Sequence, residues 1–261
     1  MIRWPRPLVV LLDWLNRKGK SAAIRLVQLT GKSPYRIHPK HLIQAPWHDW
    51  YVEYLEWADR VLDLGCGQGA HTFVAAKHVW FINGLDYDRA ALVIARREVH
   101  RCSIRNVEFG CADIQWPLWF PAESFDAVLC LDVIEHLVPR QQLLREIHRV
   151  LTPQGRLLIS APNRQTMWRR RLRDAGLFCF SDPDHKVEYS REEFCNELAE
   201  AGFEPGTLMP IVYDTPWAGL IDALGGLSLT LYARLSRWKR DMALRYPEES
   251  TGFRAIARKN K

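Results

Sequence analysis

Three glycines follow an apolar run in the stretch VLDLGCGQGAHTF, which covers residues 61–73. The apolar residues predict a buried strand that ends at Gly65, and the residues after Gly69 predict a helix. A chain that passes from a strand through glycines into a helix leaves backbone N–H groups available, and a ligand can approach where side chains would collide. The stretch therefore predicts an α/β unit with a ligand-binding loop at the carboxyl end of its first strand.

The alternation of strand and helix continues along the chain, which favours a mostly parallel sheet with helices on both faces. Strands are predicted over 60–65, 80–87, 106–113, 125–133, 155–162, 207–214 and 252–259. Helices are predicted over 71–79, 88–102, 140–151 and 191–203. With 261 residues, of which 48% are hydrophobic and 25% charged, the composition is that of a globular protein with one sizeable core.

The predicted organisation is one core with helical additions. A basic N-terminal helical extension covers 1–54, and the core covers 55–214. An apolar and basic helical insertion covers 215–250, and the last strand and tail cover 251–261.

Charge is unevenly distributed along the chain, whose formal net charge is +6. Residues 1–41 carry nine Lys and Arg against one Asp, and residues 217–261 carry nine against four acidic residues. The intervening segment therefore has a net charge of −7. Basic ends rich in Trp and Leu suit an anionic surface, either lipid headgroups or nucleic acid, and a solvated face is the alternative.

Targeting and metal motifs are missing from the sequence. Arg3 and Arg6 precede a short apolar run, but Asp13 interrupts it, so neither a secretion signal nor a membrane-spanning helix is predicted. The six cysteines form no C-x-x-C pair and do not cluster with histidines at metal-ligand spacing. Reduced thiols in a cytoplasmic protein and no metal centre are expected.

The glycine spacing separates two classes of ligand. Dinucleotide-binding loops need G-x-G-x-x-G, whereas this loop has G-x-G-x-G, and Ala70 stands at the position of the third dinucleotide glycine. Asp63 lies two residues before the first glycine, where a carboxylate would repel a pyrophosphate and attract a cation. A ligand with positive charge is predicted.

Five motifs then resemble, in order, those of class I S-adenosylmethionine-dependent methyltransferases, whose cofactor carries a sulfonium and an α-ammonium group. They are VLDLGCGQG, INGLDYD, GCADI, SFDAVLCLDVIEHL and VLTPQGRLLISAPN. The fourth resembles the motif of the subgroup that includes ubiquinone-type O-methyltransferases. The resemblance covers about residues 55–212 and implies a Rossmann-like, seven-stranded, mostly parallel sheet with S-adenosylmethionine as cofactor.

The resemblance implies that the cofactor contacts lie at strand ends. Asp86 matches the acidic residue that takes the two ribose hydroxyls, and Asp113 matches the residue beside the adenine. The predicted set is Asp63, Gly65, Cys66, Gly67, Gly69, Asp86, Tyr87, Asp113, Ile114 and Leu131. As alternatives, Asp63 caps a turn and Asp86 caps a helix, although Asp88 is better placed as the cap.

Catalytic candidates follow from the chemistry of methyl transfer, a direct displacement that needs alignment and the exclusion of water. A hydroxyl acceptor also needs a base, and His136 after the fourth strand suits proton transfer at neutral pH. Asp132 and His185, which lies in a later acidic loop, are the other catalytic candidates. Asp132 and Glu135 are candidates either for orienting the substrate or for closing over the cofactor. The alternative for each histidine is a structural role.

Two basic segments indicate what kind of methyl acceptor the protein could bind. Five arginines over 164–173 suit a phosphate or carboxylate, or else form a solvated helix face. The insertion over 215–250 joins an apolar half to a basic half, as in an interfacial helix, although a lid or a dimer contact is also compatible.

The predicted function is O-methylation of a small-molecule, saccharide or lipid-linked acceptor by a cytoplasmic enzyme, peripheral on the inner face of the membrane. RNA methylation and a non-catalytic scaffold that binds S-adenosylmethionine are the alternatives. Nucleic acid is the weaker partner hypothesis because no recognisable RNA-binding module is present.

Overall fold

The computed structural model describes residues 4–34, 36–43 and 45–260, and the described chain forms two compact units. The sheet unit takes its residues from 49–162, 182–209 and 253–261. The helical unit takes its residues from 1–48, 163–181 and 210–252. Residues 163–181 and 210–214, which the sequence places in the predicted core, thus group with the N-terminal extension and the insertion.

Eight strands of the described residues form one sheet. They are β1 Arg60–Leu64, β2 Phe81–Asp86, β3 Val107–Cys111, β4 Phe125–Leu131, β5 Leu151–Pro162, β6 Phe203–Pro205, β7 Met209–Pro210 and β8 Gly252–Lys259. The helices are α1 Arg6–Leu29, α2 Ala70–Ala75, α3 Arg89–Cys102, α4 Arg140–Val150, α5 Met167–Asp174, α6 Arg191–Glu200, α7 Ala218–Leu227 and α8 Leu229–Arg245.

The strand order is β3-β2-β1-β4-β5-β8-β6, and β7 also pairs with β8. The four pairs among β1–β5 are parallel, whereas β6 is antiparallel to β8. The predicted fold class is therefore confirmed. Because the order reverses between β1 and β4, the carboxyl ends of these two strands flank the crevice where open α/β sheets bind ligands.

Most elements begin or end one or more residues away from the predicted bounds, and three of them are instructive. The glycine at 202, with φ +86°, stops α6, and Phe203 begins a short strand that raises the count above the predicted seven. Helix α2 ends at Ala75, and the Asn106 side chain donates to the carbonyls of Ala76 and Val79 in the turn that follows. Of the strand predicted over 207–214, Met209–Pro210 forms a regular strand, and Tyr213 forms an isolated antiparallel bridge with Ser250.

Alternating residues of the central strands fill two hydrophobic clusters. In β4, Val128 and Cys130 belong to one cluster, with α4 and α6, while Ala127 and Leu129 belong to the other. Successive side chains of a strand point to opposite faces, so this sheet is covered on both faces. The middle of β4, residues 127–130, is consequently apolar and fully buried.

In the helical unit, α1 packs closely on α7 through two glycines. An added Cβ at Gly19 would lie 2.2 Å from the carbonyl oxygen of Gly219, and one at Gly219 would lie 2.4 Å from the Asn16 Cα. The Asn16 Oδ1 accepts a 2.8 Å bond from the Gly219 N–H. None of the described helices combines the length and the hydropathy that crossing a bilayer needs.

Replacing Gly19 with alanine is expected to lower the free energy of unfolding by about 1–3 kcal/mol, because the added methyl group meets rigid backbone. Helix propensity alone would give the opposite sign, a gain of about 0.8–1 kcal/mol. Urea unfolding checks the sign, and Lys18→Ala on the exposed side of α1 is the control. A stabilised Gly19→Ala protein would show that the two helices are not in this contact.

Candidate cofactor and acceptor site

The glycine loop after β1 is built from left-handed backbone. Gly65, Gly67 and Gly69 have φ values of +69°, +53° and +86°, which glycine adopts without the cost that a Cβ imposes. The N–H groups of Gly65 and Cys66 both donate to the Leu85 carbonyl, at 2.8 and 3.0 Å. The loop is thereby fastened to the end of β2.

The three glycines have different surroundings. A Cβ at Gly65 would lie 2.5 Å from the Val133 Cγ2, and one at Gly69 would lie 2.8 Å from the ring of Phe73. A Cβ at Gly67 would meet no atom within 4 Å. Gly65 and Gly69 therefore serve close packing, while Gly67 presents bare backbone to open space that a ligand can enter.

Asp86 joins the loop to the end of β2. Its Oδ2 accepts a 2.7 Å bond from the Gly67 N–H, and its Oδ1 accepts a 2.8 Å bond from the Asp88 N–H. A carboxylate offers about four lone-pair sites, so two acceptor positions remain for hydroxyl groups. The predicted helix cap is indeed Asp88, whose Oδ1 accepts from the N–H groups of Ala90 and Ala91.

Asp63 lies beneath the loop. It is 3% exposed, and its Oδ2 accepts a 2.6 Å bond from the Thr72 hydroxyl on α2. Burial raises the pKa of Asp63 to about 7, although the Thr72 bond opposes the rise. Because the Asp63 carboxylate is buried, it cannot contact a bound cation and can attract it only through its electric field.

The other predicted cofactor residues lie at the same edge of the sheet, because β1–β4 are parallel neighbours. Tyr87 is 78% exposed after β2, and Asp113 is exposed after β3, with its Oδ1 accepting a 3.0 Å bond from the Gln115 N–H. Ile114 is buried beside it, and Leu131 ends β4 half-buried. The structure thus brings the ends of four strands and their loops together.

Asp132 follows β4 in a strained conformation. Its φ is +55°, a left-handed value that costs a residue with a Cβ about 1–2 kcal/mol. Its N–H donates to the Ser160 Oγ at 2.9 Å, and that hydroxyl donates to the Asp132 Oδ1 at 2.6 Å. Ser160 on β5 therefore holds the exposed carboxylate in place, and no sequence pattern indicated this partner.

The two histidine candidates lie against each other. His136 ends a 3-10 turn over Ile134–His136, and its ring centroid is 4.7 Å from that of His185, with an interplanar angle of 79°. The N–H groups of Lys186 and Val187 donate to the Glu135 carbonyl at 2.7 and 3.3 Å. These bonds hold the acidic loop that contains His185 against the turn after β4.

Two glutamates complete this cluster. The Glu188 Oε1 lies 2.9 Å from the His185 Nδ1, and the Glu135 Oε1 lies 4.0 Å from the His185 Nε2. Burial, and secondarily Asp132, raises the pKa of Glu135 to about 8. Sequence reasoning missed Glu188 entirely, and the only available signal was its spacing of three residues from His185.

The arginine segment over 164–173 belongs to the helical unit, where two of its arginines pair with acidic residues. Arg169 pairs with Asp214 at 3.4 Å, and Arg170 pairs with Glu249 at 3.0 Å. These two guanidinium groups therefore neutralise carboxylates of their own unit.

Comparison with known proteins relates part of the sheet unit to a family. Residues 62–159 match the family described as a methyltransferase domain. A probable S-adenosylmethionine-dependent methyltransferase of Mycolicibacterium smegmatis is 34% identical over 166 residues, which are 64% of this chain and 60% of that protein. Over this region the chain is similar to S-adenosylmethionine-dependent methyltransferases, in agreement with the predicted family, whose cofactor is S-adenosylmethionine.

Other relatives of the methyltransferase domain point to different chemistries. The ubiquinone biosynthesis O-methyltransferase of Coxiella burnetii is 27% identical over 152 residues, which are 58% of each protein. The crystal structure of the [4+2]-cyclase SpnF has a TM-score of 0.59 at 21% identity and covers 81% of each chain. This chain spans about three fifths of the length of the curated relatives it matches. The likeness to a cyclase establishes the fold, and the fold alone does not fix the reaction.

Proposed function

We propose that this protein transfers the methyl group of S-adenosylmethionine to an oxygen atom of a small-molecule, saccharide or lipid-linked acceptor at an anionic membrane surface. The observation that carries the proposal is the Gly67 N–H bond to Asp86 at 2.7 Å, made where the strand order reverses in a domain of this family. It joins bare backbone to a carboxylate that still has acceptor capacity.

The residues at the strand ends fit the cofactor. Asp86 would accept from the two ribose hydroxyls, and Gly67 leaves room for close approach. Asp113 and Ile114 would flank the adenine, one through a polar group and the other through an apolar surface. When bound, the cofactor supplies a methyl group that the positive charge of the sulfonium makes electrophilic. The electric field of the Asp63 carboxylate favours the presence of that positive charge.

The turn after β4 would receive the acceptor. Asp132 presents an exposed carboxylate, and the exposed His136 could take the proton of an acceptor hydroxyl, a contribution of about 10²–10⁴-fold. His185, oriented by Glu188, would support that imidazole through their edge contact. Alignment and the exclusion of water supply the rest of the acceleration, and no covalent enzyme intermediate is needed.

An exposed apolar face on α1 supports the membrane part of the proposal. While Val9 and Leu12 are buried, the following apolar side chains are each between 40% and 52% exposed: Leu8, Val10, Leu11, Trp14 and Leu15. Arg6, Arg17 and Lys18 are exposed on the same helix. Exposed Trp and Leu beside basic residues suit the interface of an anionic membrane, in which apolar side chains insert and cations meet headgroups.

A basic cavity of about 370 Å³ in the helical unit supports an acceptor that carries phosphate. It is lined by Lys20, Lys40 and Lys239, and burial lowers the pKa of Lys239. The Asp222 carboxylate in the same wall accepts a 3.2 Å bond from the Tyr232 hydroxyl and lies 3.4 Å from the His38 Nε2. The lining thus has three lysines against this one carboxylate, which suits a phosphate group.

Calorimetry on the full-length protein tests the cofactor. S-adenosylmethionine and S-adenosylhomocysteine are expected to bind with dissociation constants of about micromolar size, a free energy near −8 kcal/mol, and NAD is expected not to bind. Binding of NAD with no signal from the sulfonium compound would refute the proposal.

Transfer of label from methyl-labelled cofactor to fractions of a cell extract tests the reaction. Label in the lipid or small-molecule fraction is the expected result. Label in RNA would instead select the nucleic-acid alternative, and cofactor binding without any transfer would select the non-catalytic scaffold.

Flotation with vesicles tests the membrane contact. The wild-type protein is expected to float with vesicles rich in anionic lipid and much less with zwitterionic ones. Leu11→Asp with Trp14→Asp should reduce flotation at least about tenfold, since burying one large apolar side chain is worth roughly 1.5–3 kcal/mol. The control is Trp80→Ser, which removes a tryptophan that is 62% exposed in the sheet unit. Wild-type protein that stays at the bottom of the gradient would end the membrane proposal.

A further inference from the structure

We propose that Glu135, His136 and His185 form a binding site for one divalent transition-metal ion of the first row. Each residue offers one ligand atom, and these three atoms all lie within 4.8 Å of one another. Two imidazoles and one carboxylate are the donors that zinc and its neighbours take at sites with three protein ligands and an open position.

The geometry needs a modest adjustment to hold an ion. Ligand atoms that are each about 2.0–2.2 Å from one ion are roughly 3.4 Å apart at the tetrahedral angle, so the widest pair must close by about 1.4 Å. The Glu135 Oε1 and the His185 Nε2 are already 4.0 Å apart, too long for a hydrogen bond but suited to a shared ion. His136 is exposed, so its ring can turn toward the other two ligands.

The Glu135 carboxylate is an independent indication of a cation. Glu135 is 2% exposed, and its Oε2 has no hydrogen-bond partner among the described residues. A buried acceptor without a partner loses its hydration without compensation, and a buried carboxylate is normally paired or bound to a metal. An ion between Glu135 and the two histidines would supply that compensation.

Glu188 gives His185 the support that metal-bound histidines have. The Glu188 Oε1 lies 2.9 Å from the His185 Nδ1, and the Glu188 residue is 1% exposed. A carboxylate only accepts, so it places the imidazole proton on Nδ1 and makes Nε2 the atom that can take a metal. Carboxylate, histidine and metal in this order are the usual arrangement around bound zinc.

The backbone holds the two halves of the site together without the ion. Lys186 and Val187 donate to the Glu135 carbonyl, so the loop that carries His185 is fixed to the turn that carries Glu135 and His136. A site assembled in this way does not have to be ordered by the metal. Because the ligands are already ordered, little of the free energy of metal binding is lost in ordering them.

The ion would also change the proposed chemistry, and this step rests on the proposed function. An acceptor hydroxyl at the open coordination position would have its pKa lowered, and its proton would leave to solvent. The oxygen would then form a bond to the methyl carbon while the bond from that carbon to sulfur breaks, and the electron pair would stay on the sulfur of the departing S-adenosylhomocysteine. His136 as a metal ligand could not be the base that removes the proton. The substrate class would then be acceptors that coordinate metal through hydroxyl oxygens.

Titration of the full-length protein with Co²⁺ and Zn²⁺, after dialysis against a chelator, tests the site. Calorimetry is expected to give one ion per chain, and Co²⁺ to develop visible absorption without sulfur-to-metal charge transfer. Glu135→Gln and His136→Gln are each expected to weaken binding more than about 100-fold, and Glu188→Gln about 10–100-fold. Mg²⁺, which prefers oxygen ligands, is expected to bind far more weakly.

The control variant is His78→Gln, which removes an exposed histidine of the sheet unit and should leave the titration unchanged. Circular dichroism of each variant, together with its binding of S-adenosylhomocysteine, shows that the fold is retained. Sulfur-to-metal charge transfer would assign the ion to the free cysteines, and this result would overturn the proposal. Equal affinity in the wild-type protein and both ligand variants would overturn it as well. Metal binding is measured without cofactor, so its failure is distinguishable from failure of the methyltransferase proposal.

Discussion

Replacing Asp86 with alanine is expected to weaken the binding of S-adenosylmethionine and S-adenosylhomocysteine at least about 100-fold. The variant would lose two hydrogen bonds from the ribose hydroxyls to the charged carboxylate, each worth about 1.5–3 kcal/mol. The binding free energy should therefore weaken by at least about 3 kcal/mol. The N–H groups of Gly67 and Asp88 also lose their acceptor, which loosens the loop that faces the ligand. Calorimetry with both compounds measures the change.

Asp88→Ala is the matched control for this experiment. Asp88 is two residues away and caps α3 through Ala90 and Ala91, so its removal should cost about 1 kcal/mol of stability and leave cofactor binding nearly unchanged. If Asp86→Ala binds the cofactor within threefold of the wild-type protein, or if Asp88→Ala shows the larger loss, Asp86 is not the ribose-binding residue.

Replacing Asp63 with asparagine is expected to remove a pH dependence of stability between about pH 4 and pH 7. The pKa of Asp63 is 3.8 in the unfolded chain and about 7 in the folded protein, because burial penalises the charged form. Between these values the folded state holds more protons than the unfolded state, so the free energy of unfolding falls as the pH rises. The total fall is about 4 kcal/mol, at roughly 1.4 kcal/mol per pH unit.

The Asn variant should therefore become more stable relative to the wild-type protein as the pH rises from 4 to 8, since the Thr72 hydroxyl can still donate to the amide oxygen. Asp126→Asn provides a control of opposite sign. Although burial alone would raise the pKa of Asp126, the bonds from Arg60 lower it. The ionised Asp126 carboxylate stabilises the folded protein at pH values above the pKa that Asp126 has in the unfolded chain. This stabilisation is lost as the pH falls.

Urea unfolding at several pH values measures how the free energy of unfolding of each variant, Asp63→Asn and Asp126→Asn, differs from that of the wild-type protein. The free energy of unfolding of Asp63→Asn is compared with that of the wild-type protein at each pH. If this difference stays constant from pH 4 to pH 8, Asp63 titrates normally in the folded state. The carboxylate would then be hydrated, and its position beneath the glycine loop would be wrong.

The sequence was most informative where function depends on backbone. The glycine spacing in 65–69 indicated a loop that opens toward a ligand, and the left-handed φ values at all three glycines agree with it. Asp86 and Asp88 could be told apart because a cap must directly precede its helix, and α3 begins at Arg89. Both inferences use neighbours within a few residues.

Contacts between distant residues were not predictable in this way. Glu135 and His185 are 50 positions apart, and they meet because the loop around Lys186 donates to the Glu135 carbonyl. The five arginines over 164–173 look like an anion site, but two of them, Arg169 and Arg170, pair with Asp214 and Glu249. In each case the partner comes from a segment whose position no local pattern specifies.

By itself the sequence determined the alternation of strands and helices, the parallel sheet and the position of the cofactor loop, because periodicity, glycine and proline act over short distances. Only the tertiary structure decided which polar groups are buried and which of them meet. Burial depends on what the rest of the chain places around a residue, so the raised pKa of Asp63 and the unpaired oxygen of Glu135 became visible only once the chain was folded.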